Sequence, residues 1–357
     1  MNRLIIIGNG FDLAHGIKSS FNDFITDYFC NAINTFYQKN SFNDIMLEIN
    51  FKDTYRIFTQ KQEPATKETV YKIIHNLNKN ININFKFHSL LLENVYGQIS
   101  KLKWVDLETE FFDVLIKTKI SRDNESIKNV NSQLEFLKIH LVKYLYSQEK
   151  QFSNIFDKTQ LVECFCEKIY SHEIVTVALD EDKAPENLYF LNFNYTKTIE
   201  DYIESCKNII PSNLNYIHGN LSGLHGNPIF GFGDEFDKRY VEFEDDKNND
   251  LFKHIKSFEY LKTKNYYLLT RFIESNEFQV QIYGHSCGIS DRTMLNQIFE
   301  HINCKSIKIF YYKIDEQRND FTDKTYEISR HFKDKTMLRK KLIPFDLSRE
   351  MPQPMKS

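Results

Sequence analysis

Four short polar segments follow stretches of apolar residues along the chain, and their side chains are the ones that could do chemistry. The first segment comprises Gly8, Asn9, Gly10, Phe11 and Asp12. Glycines at positions 8 and 10 allow a tight turn in which backbone N–H groups approach a phosphate at the start of a helix. The segment is therefore a candidate phosphate-binding turn. A turn that joins a strand to a helix without any ligand is the alternative.

Hydride transfer is not predicted for this turn. A dinucleotide-binding dehydrogenase needs a third glycine where this chain has Leu13, and it needs an acidic residue at the end of a second strand. Here the turn is followed by a helix predicted over residues 20–37, with phenylalanine, isoleucine and tyrosine at helical spacing. The pattern indicates a strand, a glycine turn and a helix.

In the second and third segments, Asn194 directly follows a predicted strand and His218 is the last residue of another. Ligands of an open α/β sheet bind beyond the carboxyl ends of its strands, so both side chains are expected to face the crevice. A histidine in this position can act as a general base near neutral pH. The alternatives are structural: Asn194 or Thr196 caps the next helix, and His218 is a core residue.

The fourth segment comprises Gly284, His285 and Ser286, and with the following Cys287 and Gly288 it matches the Gly-x-Ser-x-Gly pattern of serine hydrolases. In that pattern a helix starts directly after the serine. Here residues 289–291 intervene, and Asp291 is the predicted N-cap of the next helix. Too few strands are predicted after the serine for the acid and histidine of that fold. We therefore interpret the segment as a second glycine turn that holds the polar part of a ligand.

Short apolar runs alternate with amphipathic stretches in the second half of the chain. Strands are predicted over residues 188–193, 214–218, 228–233, 278–283 and 306–312. Helices are predicted among them over residues 196–206, 248–275 and 291–301. This alternation is typical of a mainly parallel sheet with helices on both faces.

Residues 41–172 show mainly helical spacing instead. Helices are predicted there over residues 87–102, 106–118 and 125–150, with loops at 60–67 and 76–84. We therefore predict an α/β fold, with a doubly wound, mainly parallel, Rossmann-like sheet and a large helical insertion after the first βα unit. The expected domains are residues 1–40 as that first unit, 41–172 as the helical cap, 173–345 as the rest of the core and 346–357 as a C-terminal tail.

The composition describes a folded chain without a strong electrostatic field. Of 357 residues, 46 are Lys or Arg and 49 are Asp or Glu, so the net charge of -3 provides no global attraction to nucleic acid or to a membrane. No stretch approaches the ~20 apolar residues that cross a bilayer. We expect a cytoplasmic protein with reduced cysteines. Cys164 and Cys166 lack a second cysteine pair, so no metal site is predicted.

Five motifs resemble those of the AbiH family of bacteriophage abortive infection proteins. They are residues 5–24, 103–111, 192–200, 217–219 and 283–291, in that family's order. The resemblance implies a role in phage defence, in which an infected bacterium stops growing or dies before phage is released. The partners expected on this basis are a nucleotide ligand, a phage-derived trigger protein and a second copy of the chain.

The same segments are similar, more distantly, to sirtuin-type domains, including those of anti-phage NAD hydrolases. The shared order is a Gly-x-Gly turn, Asn194, His218 and a later Gly-x-Ser turn. This resemblance implies that His218 acts as general base, that Asn194 orients water or a ribose hydroxyl, and that the turns hold the dinucleotide. Thr196 stands where the pattern has aspartate, and Asp12 stands near the place of a small hydroxyl residue. The paired-cysteine zinc module is absent from the sequence, so deacylation is not predicted.

The predicted function is cleavage of the N-glycosidic bond of NAD or a related nucleotide, without a required cofactor, to deplete an infected cell. An acidic Asp12 would repel a pyrophosphate unless it faces ribose hydroxyls, so the nucleotide is left open. A non-catalytic module that senses a nucleotide and engages a partner is one alternative. A nuclease or other hydrolase is another, although the sequence shows no clear acidic cluster for metal-assisted catalysis.

Overall fold

Short strands and the helices between them are the regular elements of the chain. The computed structural model describes residues 1–52, 62–98, 104–120, 124–151, 157–176 and 181–354. In chain order the strands are β1 (Asn2–Ile7), β2 (Ser41–Asn43), β3 (Leu47–Phe51), β4 (Ile83–Phe87), β5 (Leu188–Asn192), β6 (Ser212–Tyr216), β7 (Phe278–Tyr283), β8 (Cys304–Tyr311) and β9 (Arg349–Glu350). The helices are α1 (Asn9–Ala14), α2 (Phe21–Lys39), α3 (Val70–Lys79), α4 (Leu90–Gln98), α5 (Trp104–Ile120), α6 (Asn124–Gln151), α7 (Thr159–Cys166), α8 (Glu200–Lys207), α9 (Val241–Glu244), α10 (Lys256–Tyr260), α11 (Asn265–Ser275), α12 (Arg292–Glu300), α13 (Phe321–Arg330) and α14 (Lys335–Lys341).

The chain divides into two compact units. The first comprises Met1–Lys18 and Leu145–Ser357, and the second comprises Ser19–Tyr144. Each unit has its own sheet. All of the predicted site residues belong to the first unit. The domain boundaries predicted from the sequence stay a prediction.

The sheet of the first unit is parallel throughout. Its strand order is β6-β5-β1-β7-β8-β9, and every neighbouring pair runs in the same direction. Counted in chain order within this sheet, the order is 3-2-1-4-5-6, which is that of the Rossmann fold. The chain therefore builds outward from β1 in one direction and returns to build the other half from β7. The predicted parallel, Rossmann-like α/β fold is confirmed.

The strand β1 shows why these residues form the middle of such a sheet. It is buried along its whole length, as a strand covered on both faces must be. Successive side chains point to opposite faces, so Leu4 and Ile6 join one apolar cluster while Ile5 and Ile7 join the other. The first cluster includes residues of α11, α12 and α13, and the second includes residues of α7 and α8. Helices therefore cover both faces.

Two predicted elements of the first unit are wrong. Residues 228–233 form no strand, and the predicted helix over residues 248–275 is broken before α10 and again between α10 and α11. One set of hydrogen bonds explains the missing strand and the break before α10. The Phe232 N–H donates to the His254 carbonyl at 3.1 Å, and the Lys256 N–H donates to the Phe232 carbonyl at 2.8 Å. Backbone groups used in this bridge are not available to a sheet or to a continuous helix.

The second unit is mainly helical, as predicted. It also contains a small antiparallel sheet that the sequence pattern did not predict. The strand order of this sheet is β2-β3-β4. The predicted loop over residues 76–84 instead forms the end of α3 and the start of β4. Its asparagine content hides the alternation of Ile83, Phe85 and Phe87, which is the strand signal.

Other predicted boundaries shift by a few residues. The helix predicted over residues 87–102 begins later, at the start of α4, because Phe87 ends β4. Residues 99–102 and part of the predicted loop at 60–67 lie outside the described residues. Within the described ranges, no helix combines the length and the apolar character that crossing a bilayer requires.

Candidate functional site

The two glycine turns meet at the point of the sheet where the strand order reverses. Gly8 follows β1 and Gly284 follows β7, and these two strands are neighbours. The Gly8 N–H donates to the Tyr283 carbonyl at 3.0 Å, and the Gly10 N–H donates to the Gly284 carbonyl at 2.8 Å. Ligands of open α/β sheets bind at this switch point. The structure thus brings two of the four predicted segments into direct contact there.

Lack of space explains why glycine stands at these positions. A Cβ on Gly8 would lie 2.4 Å from the His285 Cα, and a Cβ on Gly10 would lie 2.8 Å from the Gly284 Cα. Gly284 also has a φ of +66°, in the left-handed region that glycine adopts without strain. These glycines allow the two turns to pack backbone against backbone.

The N–H groups of the first turn are engaged within the chain. Besides Gly8 and Gly10, Phe11 donates its N–H to the Gly8 carbonyl at 2.9 Å, and α1 starts directly at Asn9. In this arrangement the N–H groups of Gly8, Gly10 and Phe11 stabilise the packed turns rather than pointing at a ligand. The turn residues from Gly8 to Asp12 stay predicted ligand contacts. However, these three N–H groups are used within the chain, so they do not support the predicted phosphate contact.

Asn194 joins the end of β5 to the first turn. Its Nδ2 donates to the Gly8 carbonyl at 3.0 Å, and its backbone N–H donates to the Asn192 Oδ1 at 3.1 Å. The side chain therefore lies at the carboxyl edge of the sheet, beside the switch point. The bond to Gly8 orients the amide, and its Oδ1 is the atom that can accept a hydrogen bond from a ligand.

Asp12 is buried and hydrogen-bonded to Thr196. The Thr196 hydroxyl donates to the Asp12 Oδ2 at 2.6 Å, while the buried Oδ1 meets no donor at hydrogen-bond distance among the described residues. Burial raises the pKa of Asp12 to about 6, and the hydrogen bond from Thr196 offsets part of that rise. Thr196 does not cap a helix, because α8 begins only at Glu200. The two residues that depart from the sirtuin pattern thus contact each other.

His218 faces the buried carboxylate of Asp291, which the sequence pattern predicts to cap a helix. The His218 Nε2 lies 3.3 Å from the Asp291 Oδ1 and 3.0 Å from the Tyr260 hydroxyl. The same Asp291 Oδ1 accepts from the Lys256 Nζ at 2.8 Å, and Oδ2 lies 3.8 Å from the His285 Nε2. These five residues are called the Asp291 cluster below.

Burial and Lys256 together set the charges in the Asp291 cluster. Burial alone would raise the pKa of Asp291, but Lys256 and His218 outweigh burial and hold that pKa well below its usual range. Burial lowers the pKa of His285 to about 3, although Asp291 opposes this shift. The His285 Nδ1 accepts from the Cys287 N–H at 3.0 Å, so the neutral ring carries its proton on Nε2, toward Asp291. At neutral pH, Asp291 is therefore ionised and His285 is neutral.

The turn that carries His285 is supported from one side and exposed on the other. The Lys324 Nζ donates to the His285 carbonyl at 2.9 Å, and the His331 Nε2 lies 2.7 Å from the Cys287 carbonyl. Cys287 has a φ of 54°, which is uncommon for a residue other than glycine. Ser286 is exposed. A short 3-10 turn rather than a helix follows it, so the arrangement is not that of a hydrolase nucleophile elbow.

Asp291, Lys256 and Tyr260 belong to the candidate site, and the sequence pattern did not identify them as such. Asp291 directly precedes α12, as predicted, but its side chain makes no capping hydrogen bond. The sequence signal for a role of Asp291 in the site was its position shortly after the Gly284 turn. Helix capping explained that position instead. Lys256 and Tyr260 lie in a predicted helix with no local mark of function, because only folding brings them to Asp291. Within the described part of the chain, no group of His, Cys, Asp and Glu side chains is arranged to hold a metal ion.

Comparison with known proteins identifies a family for nearly the whole chain. A family model described as bacteriophage abortive infection AbiH matches residues 4–313. The matched span begins in β1, ends after β8 and contains every predicted site residue. A search of curated proteins gives no match. The sirtuin-like resemblance has no support from these comparisons.

Alanine at position 8 should destabilise the protein, because its Cβ would overlap the His285 backbone. Overpacking of this kind costs about 1–3 kcal/mol in the free energy of unfolding, which urea unfolding followed by circular dichroism would measure. Gly97→Ala is the control, since nothing lies within 4 Å of a Cβ there and alanine in a helix is favoured over glycine by about 0.5–1 kcal/mol. Equal stability of Gly8→Ala and the wild type would refute the packing of the turns.

Replacement of Asp291 by asparagine should be strongly destabilising, because it leaves the buried Lys256 ammonium without its carboxylate. Breaking a buried ion pair costs about 3–5 kcal/mol. The matched control is Glu204→Gln, which removes the same charge from an exposed pair with Lys207 and should change the unfolding free energy by less than about 1 kcal/mol. If both variants unfold at the wild-type urea concentration, Asp291 does not hold the cluster together.

Replacement of Asp12 by asparagine should change how stability depends on pH. The pKa of Asp12 rises from 3.8 to about 6 on folding, so between those pH values the folded chain binds more protons than the unfolded chain. This carboxyl therefore makes the protein less stable as the pH increases through that window. We expect the wild type to lose stability relative to Asp12→Asn from about pH 4 to about pH 6. A difference between the two proteins that stays constant with pH would contradict the buried, ionisable state.

Proposed function

The chain belongs to the AbiH family of bacteriophage abortive infection proteins, and on that premise we propose that it is a nucleotide-cleaving enzyme whose active site includes the Asp291 cluster. The proposed reaction is hydrolysis of the N-glycosidic bond of NAD or a related nucleotide. Loss of such a nucleotide would stop an infected cell before phage is released.

One observation carries this proposal: a histidine paired with a carboxylate lies at the switch point with both glycine turns. Asn194 and His218 follow the neighbouring strands β5 and β6. The Phe193 ring packs between the two halves of the site, with its centroid 5.1 Å from the His218 ring and 4.2 Å from the His285 ring. Asn194 itself contacts Gly8. A base, an amide and two turns therefore share one edge of the sheet.

The geometry suits His218 to act as the general base. In the proposed hydrolysis, the bond from ribose C1′ to the pyridinium nitrogen breaks, and its electron pair leaves with nicotinamide. A water oxygen bonds to C1′ and gives its proton to His218. Because the Asp291 Oδ1 lies 3.3 Å from Nε2, the neutral ring donates its proton there and Nδ1 is the basic nitrogen. The ionised Asp291 then stabilises the imidazolium that forms.

Asp12 and Asn194 supply acceptors that suit a ribose. Among the residues that the structure describes, the buried Asp12 Oδ1 meets no donor at hydrogen-bond distance, and buried polar atoms are nearly always hydrogen-bonded. A ribose hydroxyl is a donor of the required kind. Asn194 is held by Gly8 at 3.0 Å, so its Oδ1 is oriented to accept from the attacking water. Together these groups favour a ligand with a ribose at the switch point.

A nucleotide-sensing module without catalysis is the second candidate, and the burial of the Asp291 cluster favours it. His218 is 6% exposed and Asp291 is 7% exposed. A buried polar network of this kind also serves to make a fold rigid. In that case the ligand would contact the more exposed Asn9 and Ser286, and the cluster would support the turn from behind.

Replacement of His218 by alanine should abolish phage protection and nucleotide loss in infected cells. Loss of a general base typically lowers the rate by about 100- to 10,000-fold. His301→Ala is the control, because His301 lies at the end of α12 and faces Glu274 at 3.4 Å instead of the site. Phage plating and cellular NAD would be measured for both variants, with circular dichroism to show that they are folded.

Asn194→Ala should behave like His218→Ala, whereas Ser286→Ala should weaken ligand binding and leave turnover in place. Full activity in His218→Ala would remove the proposed mechanism. Selective loss of activity in Ser286→Ala would instead favour a serine hydrolase.

A further inference from the structure

Cys166 and Cys206 bring two thiols together away from the proposed site. Cys166 is the last residue of α7, Cys206 lies near the end of α8, and the two helices pack against each other. Cys206 is fully buried in the apolar cluster on that face of the sheet, and Cys166 packs against the same cluster while staying partly exposed. The interaction between the two side chains lowers the pKa of Cys166 and raises that of Cys206. Cys166 is the more accessible of the two cysteines to a small oxidant, and Cys206 is buried.

Arg3 fixes a positive charge beside Cys166. Its Nη1 donates to the carbonyls of Phe165 at 2.9 Å and Glu167 at 2.6 Å, which are the residues on either side of Cys166. The guanidinium is fully buried and is held further by the Gln279 Oε1 at 2.9 Å. A thiolate that forms at Cys166 therefore has a cation that cannot move away from it.

The other cysteines do not share this environment. Burial raises the pKa of four thiols, those of Cys30, Cys164, Cys287 and Cys304. The interaction with Cys166, together with burial, raises the pKa of Cys206. For Cys166 the hydrogen bond from Cys206 lowers the pKa below its ordinary value, and Arg3 lowers it further against the effect of burial. Of the six cysteines, Cys166 is the one whose environment favours the thiolate.

We propose that Cys166 and Cys206 form a peroxide-oxidised dithiol, with Cys166 as the attacking thiol and Cys206 as the resolving thiol. The Cys166 thiolate attacks hydrogen peroxide, the O–O bond breaks, and hydroxide leaves and takes up a proton to give water. The sulfur is oxidised by two electrons to a sulfenic acid. The Cys206 sulfur then attacks the Cys166 sulfur, the S–O bond breaks, and the leaving hydroxide takes the Cys206 proton as a second water.

The resulting disulfide would tie α7 to α8. The helix α8 also carries Tyr202, whose hydroxyl lies 2.5 Å from the His15 Nε2 and whose ring packs edge-on to Phe11 at 5.6 Å. Phe11 directly follows Gly10 in the first glycine turn. The oxidised link therefore fixes the helix that packs behind that turn, and it does so whether or not the site cleaves a nucleotide.

Peptide mapping of the full-length protein after treatment with hydrogen peroxide tests the proposal without any variant. We expect a peptide that links Cys166 to Cys206, with the loss of two hydrogen atoms, and its disappearance after reduction with dithiothreitol. Peroxide treatment that yields no such link, or that links other cysteine pairs instead, would overturn the proposal.

Two variants separate the roles of the sulfurs. In Cys206→Ser, the sulfenic acid at Cys166 should accumulate and be trapped by a dimedone probe, while in Cys166→Ser the probe should find no sulfenic acid at Cys206. Cys164→Ser is the matched control, because Cys164 lies on the same helix but is buried, and it should form the link as the wild type does. Trapping at Cys206 in Cys166→Ser would contradict the assigned order of attack.

Discussion

Backbone packing between the turn after β1 and the turn after β7 is the constraint on which the site depends. A Cβ on Gly8 would lie 2.4 Å from the His285 Cα, so the turns approach as closely as glycine permits. This contact closes the switch point of the sheet and places His285 beside the first turn. It also uses the Gly10 N–H, which donates to the Gly284 carbonyl. The glycines thus act first through packing, and ligand recognition has to come from the side chains around them.

A buried carboxylate organises those side chains on one side of the turns. Asp291 meets Lys256, His218 and His285 from three different segments of the chain. An ionised carboxylate in a buried position needs such partners, since burial without them would cost several kcal/mol. On the other side, Asp12 bonds to Thr196, and its second oxygen has no donor at hydrogen-bond distance among the described residues. The edge of the sheet therefore holds one carboxylate surrounded by three basic side chains and one that is partly hydrogen-bonded, with Asn194 near the second.

The parallel sheet could be predicted from the sequence because β1 and β5 contain continuous apolar runs, β7 carries apolar residues on either side of Gln279 and Gln281, and each of these strands is followed by a polar segment. The same rule placed Asn194, His218 and the two glycine turns at one edge. It could not find the small sheet of the second unit, whose strand signal in Ile83 and Phe85 is diluted by asparagine. Nor could it find Lys256, because the contact with Asp291 joins residues 35 positions apart. Local patterns specify which elements form, whereas long-range pairings of charged residues depend on the folded chain.

We propose that the switch point of this AbiH-family protein cleaves a nucleotide. The most direct measurement is to incubate the purified protein with NAD and a panel of related nucleotides, and to follow both binding and release of the free base. We expect that at least one nucleotide with a ribose N-glycosidic bond binds and is hydrolysed. Binding that leaves every nucleotide of the panel intact would contradict catalysis and leave the sensing role in its place.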